Sequence, residues 1–194
     1  NNINPLYGFF VARAGLGASE SMRSKLAEYN DPRLSRAFIT KQGASGKEQA
    51  PGTADNAVYA PNGSPEQGTS KYGTSLFMYS ISAPTLLLSY HELKFLEAEA
   101  LCRLGRDAKS ALKDAVVAGL LNAENSFSVS RKELGKTLIN PASSITDTEA
   151  ESYFDNTVEA KYTAEPLKTT MIQKYFALWG ASGEATESYN DVRR

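Results

Sequence analysis

Between Ser89 and Leu121 lie two helix-length apolar patterns separated by only three residues, and that spacing restricts the fold more than any other feature of the chain. Ser89-Tyr90-His91-Glu92 has the S-x-x-E form of a capping box, in which the serine oxygen and the glutamate each take an otherwise orphaned backbone N–H. The helix that follows sets Leu93, Leu96, Ala100, Leu101 and Leu104 on one face, and Gly105 suits the residue just past a helix end. Gly105-Arg106-Asp107 alone intervenes before a second pattern, Ala108, Ala111, Leu112, Ala115, Val116 and Leu120, with Asp107 as its N-cap. Helices joined by so short a turn pack antiparallel, and the small residues at their contact suit one tetratricopeptide-like pair. No second copy follows at the ~34-residue period of such repeats, so the repeat is irregular or its partners lie outside these residues.

Other helix signals flank this pair. Met22, Leu26 and Tyr29 keep helical spacing after Ser19 or Ser21, and Asp31-Pro32 stops that helix, because the residue before proline is pushed out of the α region. Ser130-Arg131-Lys132-Glu133 is a further capping-box sequence, expected to open a short helix ending near Leu138 before Asn140-Pro141. Ala150, Tyr153, Phe154, Val158 and Tyr162 predict a helix over 148–162, and Pro166 to Trp179 predicts another, with proline at its start and Gly180 past its end. Apolar residues on so much of that helix's circumference predict a central position for it. A last helix is expected over 184–192. The fold class is therefore mainly α: an irregular, tetratricopeptide-like helix pair packed with further helices and a long loop-rich excursion.

That excursion spans 43–80, ahead of a helical scaffold over 84–194, in what reads as a single domain over 1–194. Six of the fourteen glycines and three of the eight prolines fall between Gly43 and Gly73. Loops of more than ~15 residues are uncommon inside compact domains and tend to be functional or disordered. Tyr59 and Tyr72 within it argue for an ordered surface excursion, since a solvated linker has little use for such rings.

Composition narrows the functions. Hydrophobic residues make up 41% and charged residues 22%, values of a folded globular chain. A net charge of -1 gives no footprint for nucleic acid or an anionic membrane surface. The start, Asn1-Asn2-Ile3-Asn4-Pro5, has no basic segment followed by an apolar one, so no signal peptide is expected within these residues; removal of one would leave the same start. One cysteine, Cys102, excludes an intramolecular disulfide and a thiolate cluster, and its apolar helical neighbours suit a small buried hydrophobe. With His91 as the only histidine, no two-histidine metal site can be built, and no nucleophile elbow accompanies it for a triad; a partly exposed helix-start histidine is the expectation. No P-loop is present, Gly15-Leu16-Gly17 lacks the third glycine of a dinucleotide site, and no EF-hand spacing is visible. Glu97 and Glu99, two apart on a helix, point to different faces, one toward solvent and one toward a neighbouring helix.

Separated segments in a fixed order carry a resemblance. They are Asn4-Pro5-Leu6-Tyr7, Asn30-Asp31-Pro32-Arg33-Leu34, Tyr59-Ala60-Pro61-Asn62-Gly63, the stretch from Pro84 to Gly105 and especially Ser89 to Ala100, then Ile172 to Leu178 and Glu187 to Arg194. Together they resemble the SusD/RagB-like family of outer-membrane nutrient-binding lipoproteins, in its SusD-like, starch-binding outer-membrane subfamily. That family has an N-terminal half with more helical repeats and a lipidated cysteine, and continues past the paired arginines, so the resemblance implies a C-terminal fragment. None of the segments that carry the resemblance falls in residues 137–165.

The resemblance implies a surface lipoprotein, not an enzyme, that captures oligosaccharide or another nutrient for a TonB-dependent, SusC-like transporter. It would touch the membrane only through a lipid anchor. No cofactor is expected and no metal-ligating set is singled out, with calcium on scattered Asp and carbonyl groups left open. Sugar rings have apolar C–H faces that stack on exposed aromatics, with amides and carboxylates as hydrogen-bonding company. The candidate ligand-binding residues are Tyr59, Asn62, Tyr72, Phe77 and Tyr79, with Asn56 and Gln67 as further polar groups. A loop tyrosine serves equally to pin its own loop to the core. Trp179, at the end of an apolar helix, is expected in the core, and Asp31 with Arg33 is expected to fix a turn. Two other readings compete: a helical-repeat protein–protein adaptor without sugar affinity, marked by an exposed apolar groove, and a small glycosidase, marked by two carboxylates facing one cleft.

Overall fold

The computed structural model describes residues 3–12, 17–40, 48–53, 55–63, 72–180 and 184–193. It is mainly α-helical, with one small antiparallel sheet, β1 (Phe38–Ile39) against β2 (Thr74–Ser75). Two compact units divide it, one formed by residues 1–84 and 125–144, the other by 85–124 and 145–194. No helix among the described residues is long and apolar enough to cross a membrane.

The first unit is loop-rich, and its backbone polar groups find partners mostly outside regular ladders. Helix α1 (Pro5–Ala12) starts after Asn4, whose side chain accepts the Leu6 N–H at 2.9 Å and donates to the Ala83 carbonyl at 2.9 Å. Helix α2 (Glu20–Glu28) is capped by Ser19 and buries Met22 and Leu26, with Tyr29 beneath its end. Past it, Asn30 takes a positive φ of 49°, and the expected turn-fixing pair is present. Both Asp31 and Arg33 are buried, and the Arg33 guanidinium donates to the two Asp31 carboxylate oxygens at 2.8 and 2.6 Å. A 3-10 turn (Leu76–Tyr79) follows β2, with the Phe77 ring 4.7 Å from Phe127.

Phe127 belongs to the helix that departs most from expectation. Helix α4 (Lys109–Leu134) runs for 26 residues, through the sequence expected to start a new helix at Ser130. Between Leu121 and Val129 there is no proline or glycine to stop it, and burial of Phe127 rewards continuation. Ser130 is thus not a cap. Its hydroxyl lies in the core of the first unit, its one proton within reach of the Leu76 carbonyl (2.5 Å) or the Ser126 carbonyl (3.0 Å), with the Ser80 hydroxyl 2.8 Å away.

In the second unit, α3 (Tyr90–Arg103), α5 (Asp147–Tyr153), α6 (Glu159–Ala164), α7 (Pro166–Leu178) and α8 (Glu187–Arg193) accompany the first part of α4. The helix predicted over 148–162 is present from 147 to 164 with a π segment (Phe154–Val158) at its middle, where the Glu159 N–H reaches the Phe154 carbonyl. All five of its predicted apolar positions are buried, and so is the predicted set on α4 from Ala108 to Leu120. The α4 start is held by Asp107, whose carboxylate accepts the Lys109 N–H and the Tyr162 hydroxyl at 3.0 and 3.1 Å. Gly119 lets α7 approach closely: a Cβ there would stand 2.9 Å from that of Ala177.

Helices α3 and α7 pack on each other, α3 through a face other than the one its apolar spacing selects. α3 buries His91, Glu92, Phe95, Ala98 and Glu99, and leaves Leu93, Leu96, Ala100 and Leu104 exposed. α7 buries Thr169, Thr170, Gln173 and Lys174 beside Phe176, Ala177 and Leu178, while Tyr175 is exposed and Trp179 half-buried at its end. The reason is pairing: each buried polar helix face meets a complementary one, as described below.

Ser130→Ala would remove a hydroxyl that serves three partners and leave the Leu76 carbonyl and Ser80 hydroxyl short of one. A loss of about 1–3 kcal/mol is expected in chemical denaturation, whereas Ser128→Ala on an exposed stretch of the same helix should change stability by less than about 0.5 kcal/mol.

Candidate functional site

The five residues singled out in the excursion fall in two places, both in the first unit. Tyr59 and Asn62 lie on a loop that pairs with the start of α2: the Ala60 N–H donates to the Ala18 carbonyl at 2.7 Å, and the Glu20 N–H to the Ala60 carbonyl at 3.0 Å. Asn62 is exposed, but its amide is engaged, donating to the Ser21 hydroxyl at 2.8 Å and accepting from Ser19 at 3.3 Å. Tyr59 is half-buried. Its ring meets the edge of Phe38 at 5.3 Å, and the Arg23 guanidinium sits 5.3 Å from its centroid. Arg23 in turn grips Glu20 with two charge-assisted bonds, at 2.7 and 3.0 Å.

That pairing sets the local charge states. The Arg23 hydrogen bonds hold the Glu20 carboxyl below the ordinary carboxylate range, and Glu20 raises Arg23 in return. Burial pushes the Tyr59 phenol up, with Arg23 opposing. The result is a neutral phenol beside a fixed ion pair, with the Asn62 amide three residues along the loop. Aromatic ring, guanidinium, carboxylate and amide together offer the stacking and hydrogen-bonding groups a polyol ligand needs. Arg23 and Glu20 were not singled out in the sequence, although their i,i+3 spacing just after the Ser19 cap was there to be read.

Tyr72 and Phe77 lie beneath the surface of the first unit. Both are buried, Tyr72 against Gly17, where an added Cβ would meet the Tyr72 Cβ at 3.0 Å, and Phe77 against Phe127. They support the excursion from beneath. Tyr79 is half-buried, edge-on to Phe10 at 5.2 Å, and its hydroxyl accepts from the Gln49 amide at 3.4 Å. Asn56 is exposed and folds its own turn, accepting the Thr53 N–H at 2.6 Å. Gln67 lies outside the described residues.

The second unit holds two further features. An open groove of about 300 Å³ is lined by Tyr90, Lys113, Asp114, Val117, Ala118, Leu121 and Glu151. Separately, a buried polar network joins α3, α7 and the segment leading into α8. The Ser89 N–H donates to Glu184 at 2.5 Å, so Glu184 takes the backbone group that the capping box would assign to Glu92, while the Ser89 hydroxyl accepts the Glu92 N–H as predicted. His91, expected to be partly exposed, is buried with its Nε2 3.4 Å from Glu184. Lys174 donates to Asp191 at 2.9 Å and stands 3.9 Å from Glu99, which also accepts from Arg103 at 2.8 Å. Glu97 instead faces solvent and pairs with Lys94, so the two carboxylates do diverge. Among the described residues no group of three His, Cys, Asp or Glu side chains is placed to hold a metal ion.

Glu92 is strongly perturbed within this network. Burial, then the neighbouring Glu184 carboxyl, push it from the ordinary 4.5 to about 7, with Lys174 opposing. The folded chain thus keeps a proton that the unfolded chain releases above about 4.5, and stability from this group falls as pH rises from 4.5 through 7. In urea denaturation the unaltered chain should lose stability between pH 5 and pH 8. Glu92→Gln, which keeps the donor to Glu184 without the charge, should reduce that loss by about 1–3 kcal/mol.

Comparison with known proteins places this geometry. Residues 1–194 match the SusD-like family model described as starch-binding and associating with the outer membrane. A solved SusD/RagB family protein from Bacteroides thetaiotaomicron VPI-5482 is 63% identical with a TM-score of 0.93, over 100% of this chain and 41% of that one. A SusD homolog from Bacteroides fragilis NCTC 9343, 19% identical with a TM-score of 0.70 over 100% of this chain and 43% of its own, shares the fold. This chain therefore spans less than half the length of these solved proteins. No curated protein matches it. With the whole of its length matched and a relative at such identity, the chain belongs to the SusD-like family of the SusD/RagB group.

Proposed function

We propose that this chain is part of a surface lipoprotein that captures oligosaccharide at the outer membrane and passes it to a TonB-dependent, SusC-like transporter. The observation that carries the reading is the family match along residues 1–194, whose description names starch binding and the outer membrane. The physical chemistry agrees with capture in place of catalysis. The Glu20 carboxylate is locked to Arg23, and Glu92 is sealed in the interior away from the open groove, so neither is presented as a general acid to a bound glycosidic bond.

Within the first unit the capture surface is centred on Tyr59, with the Glu20–Arg23 pair and Asn62 as hydrogen-bonding company, while Tyr79 lies at the second place, beside Phe10. Tyr72 and Phe77 hold that surface in shape. A second reading, a helical-repeat adaptor for other proteins, is favoured by the open groove between Tyr90 and Leu121.

A glycan-panel screen on the full-length mature protein, followed by titration calorimetry, separates these readings. Saturable binding with no product release is expected, weakened about tenfold or more in Tyr59→Ala, the equivalent of losing one stacking contact. Tyr72→Ala should instead lower stability by about 3–5 kcal/mol, as for other buried aromatics. Release of shortened sugar would make the protein an enzyme, and binding to no glycan would favour the adaptor.

A further inference from the structure

Residues 184–193 are held to the rest of their unit mainly through polar groups. Helix α8 buries no residue, and its two largest apolar side chains, Tyr189 and Val192, are 65% and 84% exposed. Apolar burial, the usual source of helix docking, therefore contributes little here. Glu184 supplies one hold: it is buried and accepts the Ser89 N–H at 2.5 Å. Its Oε2 is buried without a hydrogen bond among the described residues, 3.4 Å from the His91 Nε2. Asp191 supplies another, accepting from Lys174 of α7 at 2.9 Å.

The first hold contains two acids side by side. The buried Glu92 carboxyl meets that of Glu184. With one proton between them two such groups make a hydrogen bond, and without it they repel. The other titratable and charged groups around them are His91, Glu99 and Arg103 from α3, Lys174 from α7, and Glu187 and Asp191 from α8. These five carboxyl groups face two fixed cations, and Lys174 is already shared by Asp191 and Glu99, so a further negative charge meets no spare partner among them. We propose that the Glu92–Glu184 pair is a proton-operated latch: with its shared proton it fastens residues 184–193 to α3, and on losing that proton it releases them while the rest of the unit stays folded. The remaining core, with Phe95, Leu112, Phe154 and Phe176, has no proton to lose. Burial, then the Glu184 carboxyl, raise Glu92 from 4.5 to about 7, so the closed latch keeps a proton that the open one gives up. The ratio of open to closed climbs by up to about tenfold per pH unit between 4.5 and 7 and levels off above that. The inference does not rest on the glycan reading.

Peptide-resolved hydrogen exchange on the full-length mature protein at pH 5, 6, 7 and 8, corrected for intrinsic rates, tests the latch. Protection over 184–193, and at the Ser89 N–H that Glu184 holds, should fall at least about tenfold from pH 5 to pH 8. Over 109–120 of α4 it should change less than about twofold. Glu92→Gln keeps a donor but has no proton to lose, so its protection over 184–193 should also change less than about twofold. Protection over 184–193 that ignores pH in the unaltered protein would overturn the proposal. An equal fall in α4 would do so too, since the unit would then open as a whole. So would a fall that persists in Glu92→Gln. The first two outcomes are read on the unaltered protein, so the test stands even if the variant folds poorly.

Discussion

Hydrogen-bond satisfaction is the constraint on which the first unit depends. Its two strands are two residues each, so regular ladders supply few partners for the backbone, and side chains take over. Asn4 closes the start of α1 onto the 81–83 turn, Asp31 and Arg33 fold the turn after α2, and Ser130 reaches the 3-10 turn from helix α4. The loops that carry Tyr59 and Tyr79 are therefore ordered by a distributed set of side-chain bonds resting on helical supports. Loops fixed in this way keep their shape, the usual division of labour between a rigid scaffold and the loops it carries.

The second unit solves a different problem. Its central helix contact, α3 on α7, buries carboxylates, an imidazole and an ammonium group together. Taking charges from water is costly, and a buried pair seldom adds more stability than an apolar contact of the same shape. What it supplies is register: Lys174 meets Asp191 and Glu99 at one alignment, and Glu184 meets the Ser89 N–H at one alignment. A network of this kind fixes the segment from Glu184 through α8 to the rest of the unit by geometry more than by energy.

Much of this was legible in the sequence where local chemistry decides. The Ser19 and Ser89 caps, the Asp107 cap, the Gly105 and Gly180 helix ends, and the Asp31–Arg33 turn all rest on neighbours within a few residues, and the structure has each of them. The apolar spacing of α4 and of the 147–164 helix was likewise sufficient, because those faces are buried in the ordinary way. Reading failed where a long-range partner outweighed local preference. Ser130 sits in a core because Leu76 and Ser80 meet it there, and His91 is buried because Glu184, far along the chain, comes to it. The leucines of α3 misled for a further reason: they follow a core pattern without a core among these residues to receive them. At the candidate site, the sequence marked the aromatic residues but could not distinguish Tyr59 at the surface from Tyr72 beneath it, since both are loop tyrosines with similar neighbours. Arg23 and Glu20 belong to that site through folding of the loop onto α2, which no local signal announces.

Each unit is also discontinuous along the chain. Residues 85–124 depart from the first unit before 125–144 return to it, bringing Phe127 to Phe77 and Ser130 to Ser80. On the ribosome, the first 84 residues therefore emerge with their core unfinished, and must wait for about forty more before the helix that completes it is made. During that interval the Phe77 ring is without its Phe127 partner. Two stretches far apart in the chain must therefore meet before that unit closes, and whatever keeps them apart leaves it open.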